Sequence, residues 1–362
     1  MTNEKRQEPS ERAAPLATIV VTPRERFGVA VESLLSVLKD TRKPYNLVYI
    51  DAGSPNKIAA QLHDICKTNG FHYVRLDHYL SPNAARNMGQ RLVGTPYTVF
   101  LDNDVIVSSG WLDALVTCAQ ETGADVVAPL TCQRLPLHAE IHQAGGEFAS
   151  DHRAFFEIAP ETRRITDIHV KQGQKVAEAQ LEREETQCCE FHCALVRRDV
   201  FERLGELDES LLATKEHIDF CMKVWSSGGR VLFEPAAIVT YLFPSRDRPL
   251  NRDDWAFFAL RWSPAWQRAS LEHFQKKWSL HEDPYFAKRF GMLEWRLSEA
   301  IAKPIINKLP LVARSYRLKT AAVRLLTFVL HRWSDGLVAR HEAIAKRADR
   351  AVPHSPVKAI ST

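Results

Sequence analysis

The stretch TVFLDNDVIVSSGW, residues 98–111, decides how the chain is organised. Thr98, Val99, Phe100 and Leu101 have the β-branched, aromatic and aliphatic character of a buried strand. Asp102, Asn103 and Asp104 then stand at the strand's carboxyl end, before a second short apolar run. Carboxylates at i and i+2 repel each other and raise each other's pKa. A divalent cation removes that repulsion, and Mg²⁺ or Mn²⁺ is commonly held by one or two carboxylates with phosphate oxygens completing the shell. Asp-x-Asp at the lip of a core strand therefore suggests a metal–diphosphate site. The plainer alternative is that Asp102 caps a turn and Asp104 is solvated.

Working outward, apolar runs alternate with segments of helical period. ATIVVT (17–22), YNLVYIDAGS (45–54), FHYVRL (71–76), YTVFL (97–101) and ADVVAPL (124–130) read as strands. VAVESLLSVL (29–38), residues 56–67, SPNAARNMGQRL (81–92) and GWLDALVTCAQ (110–120) read as helices. This order predicts an α/β fold with a Rossmann-like, mostly parallel sheet flanked by helices. Ligands of such sheets bind at the carboxyl ends of the strands, where Asp51 and Asp102 both fall.

From 131 to 187 the period weakens, and 150–187 reads as a mobile insertion that covers a cleft. CEFHCALVRRDVFERLG (189–205) is a strand and a short helix, KEHIDFCMKVWSSGG (215–229) a helix, and RVLFEPAAIVTY (230–241) a strand, a Pro turn and a second strand. The expected division is a flexible leader at 1–15, a ligand-binding half at 16–130, a second half at 131–245 and a helical C-terminal extension at 246–362.

Composition is that of a globular protein: 362 residues, 45% hydrophobic and 25% charged. A net charge of +4 is too small to argue for nucleic acid. The seven cysteines are scattered among apolar neighbours, which fits reduced, buried thiols in the cytosol. QCCEFHCALV gathers Cys188, Cys189, His192 and Cys193 but lacks the second half of a zinc ligand set. The first fifteen residues hold no apolar h-region, and no apolar run approaches the ~20 residues that span a bilayer. The expected location is cytoplasmic.

Residues 303–350 hold eleven Lys and Arg against three acids. LPLVARSYRLKTAAVRLLTFVLHRW (309–333) therefore reads either as a peripheral contact with the inner face of a membrane or as a packed helix with a solvated basic face. Trp255, Trp262, Trp266 and Trp278, with Phe257, Phe258 and Phe274, read as helix packing or as a sugar-stacking platform.

Six landmarks in order over residues 16–243 resemble family 2 glycosyltransferases of the GT-A fold. They are ATIVVTPRERF, YIDAGS, AARNMG (84–89), FLDNDV followed by Gly-Trp-Leu, CALVRRDVFERLGELDESL, and EHIDF. The resemblance implies metal-assisted, inverting transfer of a sugar from a nucleotide-diphosphate donor, UDP by preference, to a carbohydrate or lipid-linked acceptor. Polysaccharide or glycoconjugate biosynthesis is the implied setting. It assigns donor binding to Asp51 (base), Arg86 (base or diphosphate), Asp102 (ribose or metal side) and Asn103, with Asp104 as the main ligand of Mn²⁺ or Mg²⁺.

Two positions depart from the family pattern. The usual Glu-Asp pair that supplies the base is Glu216-His217, with Asp219 beyond it. His217 holds the base position, and Glu216 and Asp219 are the other contenders. The family often has a metal-binding His at the end of the VTY strand, where this chain has Tyr241, so looser metal dependence follows. Two rivals stay open: a nucleotidyltransferase, because Arg24 and Arg26 follow the first strand, and a non-catalytic nucleotide-sugar-binding protein of the same fold.

Overall fold

A computed structural model describes residues 14–245 and 248–351, so the expected leader lies outside the described residues except for its last two positions. Strands β1 (Ala17–Thr22), β2 (Asn46–Ala52), β3 (His72–Leu76) and β4 (Tyr97–Asp102) run parallel in the order β4-β1-β2-β3. The remaining strands are β5 (Val105–Val107), β6 (Val126–Gln133), β7 (Glu140–Gln143), β8 (Gly146–Glu147), β9 (Ile168–His169), β10 (Glu184–Glu185), β11 (Cys193–Arg197) and β12 (Val231–Tyr241). β11 lies antiparallel between β4 and β6, and β12 pairs parallel with β6. The sheet is thus mixed, with the parallel ladders the longer.

Helices α1 (Ala30–Asp40), α2 (Asn56–Asn69), α3 (Pro82–Gln90) and α4 (Trp111–Thr122) fill the crossovers; α5 (Arg198–Leu204) and α6 (Glu216–Ser226) follow β11. α1 buries Ala30, Ser33, Leu34 and Val37, a single stripe at i, i+3, i+4 and i+7. Because strand side chains alternate between faces, Val20 and Phe100 enter one core with Ile218 and Met222. Ile19, Val21, Val99 and Leu101 enter the other with Leu34 and Leu115. Burial on both faces explains why these strands are continuously apolar.

One expectation needs correction: Val231–Tyr241 is one strand, not strand–turn–strand. Pro235 has no N–H for the ladder, and the chain absorbs it as a register shift against β6 between Glu234 and Ile238. The segment at 150–187 carries short 3₁₀ turns with β9 and β10. It buries Phe155 and Ile165 and bonds to the body through Thr166 N–H to Phe148 O, at 2.8 Å, and Thr186 N–H to Val231 O, at 3.0 Å. Elements of two or three residues are too short to show a period.

The helices after 250 pack in two directions. α7 (Trp255–Arg261) and α8 (Pro264–Lys277) follow one another, and Ser263 caps α8 by accepting from the Trp266 N–H at 3.2 Å. Leu271 and Phe274 of α8, with Phe286 of α9 (Pro284–Phe290), join the core of the α/β sheet. Phe258 and Trp262 instead build a separate core with Leu297, Ile301, Val323 and Leu330. Most of the aromatic group is therefore packing: Trp262, Trp266, Phe257, Phe258 and Phe274 are buried. Among the described residues no helix is long and apolar enough to cross a membrane.

Candidate active site

The strand register brings the site together. Thr22 pairs with Asp102, and Cys193 with Leu101, so His192 lies beside the end of β4 and its carbonyl accepts from the Asp102 N–H at 3.0 Å. Tyr241 pairs with Val105, next to Asp104. Asn103 ties down the loop after β1: its Oδ1 accepts from the Arg24 N–H at 2.9 Å. A cavity of about 810 Å³ opens here, lined among others by Arg24, His192, Glu216, His217 and Tyr241. A second cavity of about 1000 Å³ lies at the opposite, amino-terminal end of the sheet, around Thr18 and Lys43, away from every acidic pair named above.

Asp102 and Asp104 are both fully buried, but their surroundings differ. Asp102 Oδ1 is 2.9 Å from Arg86 Nη2, and Oδ2 is 3.0 Å from His192 Nδ1. Burial alone raises a carboxyl; Arg86, then His192 and Arg24, overcome it and hold Asp102 down to about 2. Asp104 has no hydrogen-bond partner on either oxygen. Burial, followed by the Asp102 charge, pushes it up to about 8. Buried polar groups are ordinarily paired, so a two-oxygen orphan marks a position built for a cation. Ligand atoms of Asp102, Asp104 and His192 all lie within 4.8 Å of one another.

The base candidates separate. Glu216 Oε1 is 3.1 Å from both Arg24 Nη1 and Arg261 Nη2. Against its burial, Arg261 and Arg24 hold it at about 2, so it is a poor proton acceptor. His217 lines the cavity with Nε2 buried and unpartnered, and burial pushes its pKa down to about 4. The imidazole is neutral at neutral pH and its free nitrogen can accept a proton, as a weaker base than an ordinary histidine but a stronger one than Glu216. Asp219 points elsewhere: Trp278 Nε1 donates to Oδ1 at 2.8 Å and Lys277 Nζ to Oδ2 at 2.9 Å.

None of the four expected donor-binding residues, Asp51, Arg86, Asp102 and Asn103, is among those that line this cavity. Asp51 is buried and accepts from Tyr73 Oη at 2.5 Å and the Ser54 N–H at 3.0 Å, and pairs with Arg75 Nη1 at 2.8 Å. Arg86 is fully buried against the Phe191 ring, with its guanidinium carbon 4.6 Å from the centroid. Tyr241 donates its hydroxyl to Glu25 Oε2 at 2.7 Å and stacks on His192, ring centroids 3.8 Å apart.

Arg24, Arg261, His192 and Glu190 escaped the sequence-based site. Arg24 was visible as a cation just after β1. The other three carry no local signal, because only pairing between β4 and β11 and the docking of α7 bring them in. Of the cysteine run, Cys188, Cys189 and Cys193 are buried and not in disulfides. Burial raises the Cys188 and Cys193 thiols well above their usual range.

Carboxylates and a cavity at the carboxyl ends of an α/β sheet stand where ligands of such sheets bind. The model of glycosyl transferase family 2 matches residues 18–205, just over half of the chain, and the chain belongs to that family. Its GT-A architecture is the one described above. The pre-mycofactocin glycosyltransferase of Mycobacterium tuberculosis is 24% identical over 241 residues, covering 65% of this chain and 44% of the relative. The polypeptide N-acetylgalactosaminyltransferase 8 of Drosophila melanogaster is 23% identical over 248 residues, covering 66% and 40%. The chain thus spans less than half the length of these curated relatives. GalNAc-T7 solved with UDP, GalNAc and Mn²⁺ gives a TM-score of 0.49 at 18% identity, over 84% of this chain and 61% of that one. The mannosyltransferase PcManGT of Pyrobaculum calidifontis, with GDP-Man and Mn²⁺, gives 0.47 at 14%, over 92% and 90%.

Proposed function

We propose that this chain transfers a sugar, with inversion, from a nucleotide-diphosphate donor to an acceptor hydroxyl. One observation carries the reading: a buried carboxylate without a partner, Asp104, stands at the strand end beside a cavity whose wall holds the neutral, unpartnered His217. Asp104 would hold Mn²⁺ or Mg²⁺, with Asp102 and His192 adjacent. When bound, that cation neutralises charge developing on the leaving diphosphate.

His217 Nε2 takes the proton of the attacking hydroxyl. The negative charges of Glu190, Glu216 and Asp167 favour the imidazolium that results. Arg24 and Arg261 keep Glu216 ionised for that purpose. Inversion in a single displacement needs one base and no covalent nucleophile, and His217 is the base proposed for it. UDP is the nucleotide favoured by the family resemblance, and synthesis of a polysaccharide or glycoconjugate is the proposed setting. Calorimetric titration with UDP, GDP and their sugar conjugates, with and without Mn²⁺, tests the reading. Mn²⁺-enhanced binding of one nucleotide is expected; absence of nucleotide binding in every condition would overturn it.

The proposed acceptor is carbohydrate, and lipid-linked if the terminal helix meets a membrane. That helix (Tyr316–Ala351) is apolar on two faces. Val323, Leu330 and Val338 are buried, whereas Leu318, Leu325, Phe328 and Val329 are 58%, 67%, 63% and 51% exposed. At 100° per residue these four form one stripe, with Arg317 and Arg324 on one flank and Lys319 on the other. An apolar stripe with basic flanks suits an anionic lipid surface. The protein is expected to co-sediment with phosphatidylglycerol vesicles and not with phosphatidylcholine ones. Leu325→Glu/Phe328→Glu should weaken that binding roughly 10²-fold, given about 1.5–3 kcal/mol per buried side chain. Equal binding to both vesicle types would remove the electrostatic half of the idea.

A further inference from the structure

We infer a second cation site beside that of Asp104, formed by His142, His169 and Glu190 on the wall of the same cavity. His192 bridges the two: its Nε2 is 2.8 Å from Glu190 Oε2 and its Nδ1 3.0 Å from Asp102 Oδ2. The three come from distant segments: His142 from β7, His169 from β9, and Glu190 from the stretch before β11. Their ligand atoms lie within 4.8 Å of one another. His142 Nε2 is 2.8 Å from Glu190 Oε2, and His169 Nε2 is 3.6 Å from Glu190 Oε1. Ligands about 2.0–2.2 Å from a tetrahedral Zn²⁺ stand at comparable separations.

Hydrogen bonding shows why a cation is wanted between them. Glu140 can only accept, and it takes the Gln133 Nε2–H at 2.6 Å. That fixes the Gln133 amide so that its Oε1 faces His142 Nδ1, at 3.1 Å. The His142 proton is thereby placed on Nδ1, and in the neutral ring Nε2 presents a lone pair to the carboxylate oxygen of Glu190. Two lone pairs 2.8 Å apart repel unless a proton or a metal ion lies between. An imidazole whose outer nitrogen is fixed by an amide or carbonyl oxygen is also how proteins orient a metal-bound histidine.

At His169 the outer nitrogen is instead an acceptor: the Gln172 amide nitrogen lies 3.3 Å from Nδ1, so the neutral ring carries its proton on Nε2 and gives it up when a cation binds. Two imidazoles and one carboxylate suit a borderline transition cation such as Zn²⁺, not Mg²⁺. All three residues line the cavity, so coordination positions stay open toward it. The site goes beyond the transferase reading and does not depend on it.

Chelator-stripped full-length protein titrated with Co²⁺, without nucleotide, tests the inference. Up to two equivalents should bind, one at each site, and the d–d band of the His142–His169–Glu190 site should persist in Asp104→Asn and be lost in His169→Gln. Absence of a band in the wild type, or a band lost in Asp104→Asn but kept in His169→Gln, overturns it. A readout needing no variant is the protection of His142 and His169 from diethyl pyrocarbonate by Zn²⁺, located by peptide mass spectrometry. Protection of both supports the site, and modification of both at the metal-free rate rejects it. Metal-enhanced nucleotide binding is read separately, so either proposal can fail without the other.

Discussion

Asp104→Asn is expected to raise the stability of the chelator-treated protein while removing its cation-assisted function. Both Asp104 oxygens are buried without partners, and burial with Asp102 pushes the carboxyl up to about 8 in the folded chain. In the unfolded chain it titrates near ~3.9. A raised folded pKa means that its contribution is fully present below the unfolded value and lost as pH rises toward 8. By neutral pH the loss is on the order of 4 kcal/mol. Asparagine keeps the shape and cannot ionise. Metal-free Asp104→Asn should therefore melt several degrees above metal-free wild type at pH 8, with the difference shrinking toward pH 4. The same variant should lose Mn²⁺-enhanced nucleotide binding, and transfer should fall roughly 10³-fold, about 4 kcal/mol of lost charge stabilisation. Thermal melts with and without chelator, beside initial rates, check both signs. A variant that melts no higher than chelated wild type and still binds nucleotide better with Mn²⁺ would show that Asp104 is not the ligand.

His217→Asn should lower kcat by roughly 10²–10⁴-fold, the usual worth of a general base, with nucleotide affinity unchanged. Its depressed pKa has a second readout. The folded value of about 4 lies below the ordinary ~6.5, so the unfolded chain binds the extra proton first as pH falls. Stability is then lost between about pH 6.5 and 4, by about 3 kcal/mol, and His217→Asn should remove that part of the acid slope. Glu216→Gln makes the contrast, because it leaves Arg24 and Arg261 facing a neutral amide and should cost about 3–5 kcal/mol of stability. Asp219→Asn should leave kcat within about threefold, since its partners Lys277 and Trp278 lie away from the cavity. Rates, calorimetry and pH-dependent denaturant melts distinguish the three. Full activity in His217→Asn would move the base elsewhere.

The strands were legible because each of β1, β2, β4 and β6 is a short apolar run ended by a turn, and burial on both faces writes itself directly into composition. The Asp102–Asp104 pair was legible for a similar reason, as local spacing reports local geometry. Glu190 and His192 were not, because they reach Asp102 through the antiparallel pairing of β11 with β4, about ninety residues away. Arg261 belongs to a helix that reads only as amphipathic until it docks. The short turns of 150–187 hold their shape by backbone bonds to distant partners, which leave no period behind. At Pro235 the sequence shows a break in the ladder, but β12 takes it up as extra residues between Glu234 and Ile238, and the strand continues.

The sharing of one hydrophobic core by α8, α9 and the sheet bears on modularity. Arg261 supplies half of the counter-charge on Glu216, and Trp262 donates to Glu25 at 3.1 Å, so polar as well as apolar contacts cross the boundary near 245. A fragment ending there would keep every strand of the sheet yet lose the partners of a buried glutamate and part of a core. The helical region and the sheet therefore depend on one another for burial, and swapping the whole C-terminal region would have to replace Arg261, Trp262, Leu271 and Phe274 at once.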